Sequence, residues 1–210
     1  IVSRPWPTHR IPVCWENPSS ADEYERLLVR DAVERTWSNV ADVDFVGWEA
    51  CSPDERSVRI EVADVAPTGR VGWHPEDPPI ASMQLNFAFV NWAMDGCMGY
   101  ANRTCCIQAI AVHEFGHALG FAHEQDRPDT DRTRCPDAPT RYDDAEIIGP
   151  WDLYSVMNYC NPTWNNRGNL SPMDIRAVRQ VYGERTPTRP LLNPSCAPPD
   201  TQYEYDERLA

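Results

Sequence analysis

The stretch His113-Glu114-Phe115-Gly116-His117, followed by Gly120 and His123, restricts this chain more than anything else in it. Ile107, Ile110, Ala111, Phe115 and Leu119 recur at helical spacing through Thr104 to Leu119, so the five residues lie on a helix. Residues four apart return to nearly one face, and His113 and His117 can direct both imidazoles to one point. A helix continued past Leu119 would carry His123 away. Gly120 accepts a positive φ, ends the helix and turns the chain back, which lets His123 complete a set of three. Neutral imidazoles are zinc donors at about 2.0–2.1 Å, and three of them leave a position open for water. Glu114 stands beside them, able to take that water's proton. The short pattern also occurs on ordinary helix surfaces; the glycine and third histidine set this one apart.

At 210 residues the chain has room for one substantial core, and a single domain over 1–210 is expected. Nineteen Lys+Arg against 32 Asp+Glu give a formal charge of −13, which argues against a nucleic-acid partner, since backbone readers need a basic face. Eight cysteines without CxxC spacing read as disulfides formed in an oxidising compartment, so a secreted, extracellular location is expected. No apolar run reaches the roughly 18–20 residues of a membrane span. The chain opens Ile1-Val2-Ser3 without a signal segment and reads as a mature or trimmed product.

Coarse patterning gives a strand over 10–16, an amphipathic helix over 21–40 capped by Ser19 or Ser20, and strands over 43–50 and 57–62. A Pro- and Gly-rich irregular connection is expected over 65–81, and an alternating strand over 83–89. The last helix, 171–182, opens with Ser171, Pro172 and the capping-box acid Asp174 and stops at Gly183. Residues 186–210 read as a tail.

The pattern HExxHxxGxxH resembles that of the metzincin metallopeptidases, and its continuation through Glu124, Gln125, Arg127, Asp129 and Asp131 resembles one branch of them, the astacins. Ser155-Val156-Met157-Asn158-Tyr159 is similar to the Met-turn of that family, and weaker likeness reaches the Ile11-Pro12-Val13 strand and the Ser171-Pro172 helix start. The resemblance implies an α+β, two-lobed zinc-protease fold with a mixed twisted sheet, an active-site helix and a C-terminal helix. Its N-terminal lobe would cover about 1–123 and its C-terminal lobe about 124–210. It implies a secreted zinc endopeptidase with one catalytic Zn²⁺ on His113, His117 and His123, Glu114 as general base, and Tyr159 as both ligand and oxyanion donor. Gly120 and Met157 would support the site, and Met83, Gln84, Leu85, Asn86 and Phe87 would form the edge strand that pairs with polypeptide substrates. A removed propeptide is implied as well.

Several positions depart from the family pattern. Thr130 stands where an arginine is usual, and Asn158 where a histidine is. The resemblance implies an amino terminus buried near Glu124, but only ten residues precede the Ile11-Pro12-Val13 strand, fewer than that path calls for, so the Ile1 ammonium, Arg127 and a backbone donor all stand as partners for Glu124. The preferred bridges are Cys51–Cys196, Cys135–Cys160 and Cys97 with Cys105 or Cys106, leaving Cys14 for the other member of that pair. The acids Asp126, Asp129, Asp131, Asp137, Asp143 and Asp144 raise a calcium site, set against a solvated acidic loop. Two competing functions remain open: a metzincin protease without tyrosine ligation, and a catalytically weak secreted peptide-binding protein.

Overall fold

The computed structural model describes residues 1–76, 78–92, 94–136 and 145–192. Strand β1 (Arg10–Trp15) leads through a capped turn into helix α1 (Glu23–Arg35) and the short α2 (Trp37–Val40). Strands β2 (Asp44–Ala50), β3 (Val58–Val62), β4 (Thr68–Gly69) and β5 (Met83–Leu85) follow, then α3 (Asp95–Met98), the long α4 (Tyr100–Ala118) and finally α5 (Pro172–Tyr182). The sheet order is β2-β1-β3-β5-β4, with β4 antiparallel to β5 and all other pairs parallel. The sheet is mixed, and with α4 and α5 it gives the α+β class expected from the sequence.

Ser19 caps the first helical turn in a reciprocal capping box with Asp22. The helix expected over 21–40 is broken at Thr36, whose φ of −109° and ψ of −93° leave helical space. Its hydroxyl donates back to Ala32 O at 2.7 Å, and the break swings Trp37 toward α4. Val29, Ala32 and Val33 bury the inner face of α1, whereas Tyr24 and Leu27 are exposed.

A β-bulge fixes how α4 meets the sheet. Val13 pairs with Gly47 and Cys14 with Glu49, so Trp48 is the extra residue on β2. Gly47 has φ +97°, and a Cβ there would stand 2.8 Å from Val13 O, which reserves the position for glycine. The bulge turns the Trp48 ring inward to stack on Phe115 at 5.6 Å, while Phe45 meets the same ring edge-on at 4.9 Å. Phe115, fully buried, locks the rotation of α4 about its axis.

The irregular segment expected over 65–81 contains β4, and that corrects the sheet edge. Ladder pairing of Thr68 with Gln84 and Gly69 with Met83 places β5 between β3 and β4. Met83, Gln84 and Leu85 are therefore interior to the sheet, not its edge. Asn86 and Phe87 are not strand at all. The Asn86 side chain accepts from the backbone N–H of Ala88 and Phe89 at 2.9 and 2.8 Å, an Asx-type turn that takes the chain out of the ladder.

Candidate metal centre

Helix α4 ends in a Schellman motif. Gly120 N donates to His117 O at 2.8 Å and Phe121 N to Gly116 O at 2.9 Å, with Gly120 at φ +98°. The turn brings His123 back beside the helix. His123 Nε2 lies 3.2 Å from His113 Nε2 and 3.0 Å from His117 Nε2. Nitrogens bound to one tetrahedral zinc are about 3.3 Å apart, so the three rings stand at coordination spacing. Among the described residues, this is the one group of His, Cys, Asp and Glu able to hold a metal.

The tautomers decide what these nitrogens can do. His113 Nδ1 lies 2.8 Å from Val156 O and His117 Nδ1 lies 2.8 Å from Phe121 O. A carbonyl only accepts, so each Nδ1 carries the proton and each Nε2 presents a lone pair. Burial pushes His113 down to about 3, helped by the neighbouring His117, and pushes His117 down to about 4. Both are neutral near pH 7. Lone pairs converging on one point repel unless a cation lies between them, and neutral imidazoles oriented by carbonyls suit zinc.

Glu114, buried on the same helix, has Oε2 without a hydrogen-bond partner among the described residues. Burial alone pushes its carboxyl up to about 8, and a cation beside it acts in the opposite direction. Strand β4 runs directly over it. A Cβ on Gly69 would stand 2.8 Å from Glu114 Oε2, 3.0 Å from Glu114 O and 3.2 Å from His117 Cβ. Gly72 N donates to His117 O at 2.8 Å and fixes the chain just beyond β4 to the helix end. The sheet edge beside these side chains is thus β4, and Gly69 is a residue that sequence reasoning missed. Its signal was faint, one glycine in a Pro- and Gly-rich run.

Beneath α4 the segment 155–159 closes the site. Met157 is buried, with Sδ where a Cβ on Gly116 would have to go. The residue just before His117 is glycine because a thioether packs there. Asp174, predicted as a helix cap, does more. Its carboxylate accepts from Ser171 N at 2.8 Å, Ser155 Oγ at 2.6 Å and Val156 N at 2.9 Å, so the cap of α5 also holds the peptide whose carbonyl orients His113. Asn158 is fully buried, its amide donating to Asp152 O at 2.9 Å. Tyr159 stacks on His113 with centroids 5.3 Å apart and lies 4.2 Å from the His123 ring.

The arrangement has close relatives among known proteins. The family model for Astacin, a peptidase family, matches residues 94–133. Over that segment the chain is similar to the astacin peptidases. It is 27% identical over 199 residues to the zinc metalloproteinase dpy-31 of Brugia malayi, covering 87% of this chain and 29% of that protein. It is 34% identical over 95 residues to the zinc metalloproteinase nas-3 of Caenorhabditis elegans, covering 41% of this chain and 30% of that one. The chain spans about a third of the length of the curated relatives it matches. In fold it is similar to myroilysin, with TM-score 0.56 and 20% identity over 85% of this chain and 95% of that chain. It is also similar to a hatching-enzyme zinc-protease of Oryzias latipes, with TM-score 0.53 and 20% identity over 84% and 90%.

The partners of Glu124, left open by the sequence, are now identified, and part of the expected cysteine pairing is overturned. Ile1 does reach Glu124: its ammonium lies 3.5 Å from Glu124 Oε2, while Oε1 lies 3.3 Å from Arg127 and accepts from Asp152 N at 2.9 Å. The chain end is held there by Val2, which bridges to both Phe121 and Glu146. Cys51 bonds Cys14 across the parallel β1–β2 pair, their Cα atoms 4.8 Å apart, which replaces both the expected Cys51–Cys196 bridge and the pairing of Cys14 with Cys105 or Cys106. Cys97–Cys106 and Cys135–Cys160 form as expected, and Cys105 is disulfide-bonded too. Cys196 lies outside the described residues.

Of the acidic cluster, Asp129 pairs with Arg127 at 2.7 Å, Asp131 accepts from Thr133, and Asp126 stands 3.8 Å from His123. Asp137, Asp143 and Asp144 lie outside the described residues. Thr130, in place of an arginine, donates its hydroxyl to the carbonyls of Gln125 and Arg127 at 2.9 and 2.8 Å. No helix among the described residues is long and apolar enough to cross a membrane.

Proposed function

We propose that this chain is the catalytic part of a secreted zinc endopeptidase. The observation that carries the reading is the convergence of three imidazole nitrogens beside the buried, unpartnered Glu114 oxygen, under an edge strand. Zinc on His113, His117 and His123 would supply Lewis acidity toward water and the scissile carbonyl. Glu114 takes the proton of the attacking water and returns it to the leaving amine, acting as base and then acid. Tyr159, within ring contact of His113 and His123, donates its phenol proton in a hydrogen bond to the developing oxyanion. The backbone groups on the outer edge of β4 pair with an extended polypeptide, which aligns a peptide carbonyl over Glu114 and accepts varied side chains. Export fits the disulfides, and a propeptide removed before use, as the resemblance implies, belongs to the same reading.

The test is Glu114→Gln. The variant is expected to fold, to keep its zinc, and to lose peptide hydrolysis by orders of magnitude against a proteome-derived peptide mixture. Equal rates for the two proteins would reject the role of Glu114, and zinc retention without hydrolysis by the native chain would favour a peptide-binding protein. A protease without tyrosine ligation has one observation in its favour, the face-on stacking of Tyr159 against His113 at 16° between ring planes.

A further inference from the structure

We infer that Gln125 and the Cys135–Cys160 disulfide are positioning elements for Tyr159, fixing its backbone so that the phenol alone moves between the imidazoles and the oxyanion position. The inference rests on the reading of Tyr159 given above.

Tyr159 is half exposed, at 50%, in a run whose other members are held tightly. Val156, Met157 and Asn158 before it are buried. Its own backbone N–H donates to Gln125 Oε1 at 3.0 Å, and Gln125 is itself 1% exposed. On its far side, Cys160 N donates to Asn158 Oδ1 at 2.9 Å, and Cys160 Sγ is bonded to the buried Cys135. Farther on, Asn161 N donates to Asn158 O at 3.1 Å, and its side chain donates to Ser155 O at 3.2 Å. Hydrogen bonds and a covalent link therefore enclose one residue whose ring is left at the surface.

Both holding groups come from the segment that follows His123. Gln125 is two residues beyond that histidine, and Glu124 N between them donates to Met157 O at 2.9 Å. Cys135 closes the same segment onto Cys160 across a sequence separation of 25. The third histidine and the tyrosine are thus parts of one cross-linked unit, joined to each other directly as well as through α4. A side chain that must leave the imidazoles and return at each turnover needs two rotamers and an invariant Cα. If the backbone drifted as well, the phenol would reach the oxyanion at variable distance, and a misplacement of about 1 Å can cost roughly a hundredfold in rate. Reduction of this bridge would loosen the tyrosine and leave all three histidines on the chain.

The experiment compares the native chain with Cys135→Ser/Cys160→Ser, Gln125→Met and Gln125→Glu, each made both with Tyr159 intact and in the Tyr159→Phe background. Readouts are zinc content, kcat and KM, and the tyrosinate-to-copper absorption of the Cu²⁺-substituted protein. Gln125→Met leaves every cysteine in place and covers the case in which the serine variant does not fold. Expected are unchanged zinc content, kcat lowered roughly tenfold or more with KM within about twofold, and a weakened copper band. Gln125→Glu keeps the acceptor and is expected to restore the native values. In the Tyr159→Phe background the same substitutions should cost nothing further. An equal loss in that background would overturn the inference, because the elements would then brace the whole site. So would native kcat and a native band in both the bridge and Gln125→Met variants. If Tyr159→Phe alone matched the native kcat and the native chain gave no copper band, the reading of Tyr159 would fall, and its positioning with it.

Discussion

His113 donates its Nδ1 proton to the carbonyl oxygen of Val156 at 2.8 Å, and the amide of that same residue donates to Asp174 at 2.9 Å. A carboxylate at the start of the last helix thereby sets the tautomer of a histidine on α4. Groups that orient metal-binding histidines typically change affinity by about 10–100-fold when removed. Asp174→Ala is expected to weaken zinc by roughly that factor, measured by competition with a chelator of known affinity. Ser171→Ala removes the cap hydroxyl and leaves the Val156 contact, so it should cost about 1 kcal/mol of stability and leave zinc affinity alone. Equal effects of the two substitutions on zinc would reduce Asp174 to a cap.

Gly69 sets the gap between the edge strand and Glu114. A methyl group there would press on the Glu114 backbone oxygen at 3.0 Å as well as on Oε2 at 2.8 Å, and backbone does not yield as a side-chain tip does. Gly69→Ala is expected to retain zinc and to lose about tenfold or more in kcat/KM, since β4 and Glu114 shift apart by a few tenths of an ångström. Gly99, where nothing lies within 4 Å of an added Cβ, provides the control. Activity of Gly69→Ala equal to that of Gly99→Ala would free β4 from this constraint.

How far these relationships could be read from the sequence depends on how local their causes are. The imidazole set and the turn at Gly120 are legible because 3.6-residue periodicity and one positive φ generate them within eleven residues. The capping box at Ser171 and Asp174 is equally local, but the second use of Asp174, on Val156, requires two segments to meet. Strand β4 is two residues long and carries no alternation, so only its pairing with Gln84 and Met83 reveals it. The run 83–89 alternates well beyond the point where the Asn86 side chain ends the ladder. Cysteine pairing failed for the same reason at Cys14 and Cys51, which are joined by the adjacency of β1 and β2 and not by spacing. Gly116 sat in full view between the histidines, yet its purpose appears only when Met157 is placed against it.

Trp37 links the broken first helix to α4. Its ring is buried, stacks on Phe121 at 5.8 Å, and donates Nε1–H to Val112 O at 2.8 Å, one residue before His113. Trp37→Ala is expected to cost about 3–5 kcal/mol in urea unfolding through the cavity it opens. Trp37→Phe fills most of that space and removes the hydrogen bond, so it should cost about 1–2 kcal/mol. A phenylalanine variant as unstable as the alanine one would mean that the indole bond, not the packing, secures α4.

Acid should release the turn that follows β5. Asp64 is held below the usual carboxylate range chiefly by the backbone N–H of Asn91, at 2.8 Å, with the Asn86 side chain and Val90 N adding to it. A carboxyl whose folded pKa is depressed contributes its stabilisation above the unfolded pKa and loses it as pH falls through the folded one. The contribution is therefore complete above about pH 4 and disappears below it. Asp64→Asn cannot titrate, so its stability should be lower than native at pH 7 and should converge on the native value as the pH falls through the depressed folded pKa of Asp64. Denaturant midpoints across that range check the sign, and a gap that widened on acidification would show that the native carboxyl is not stabilised as an anion.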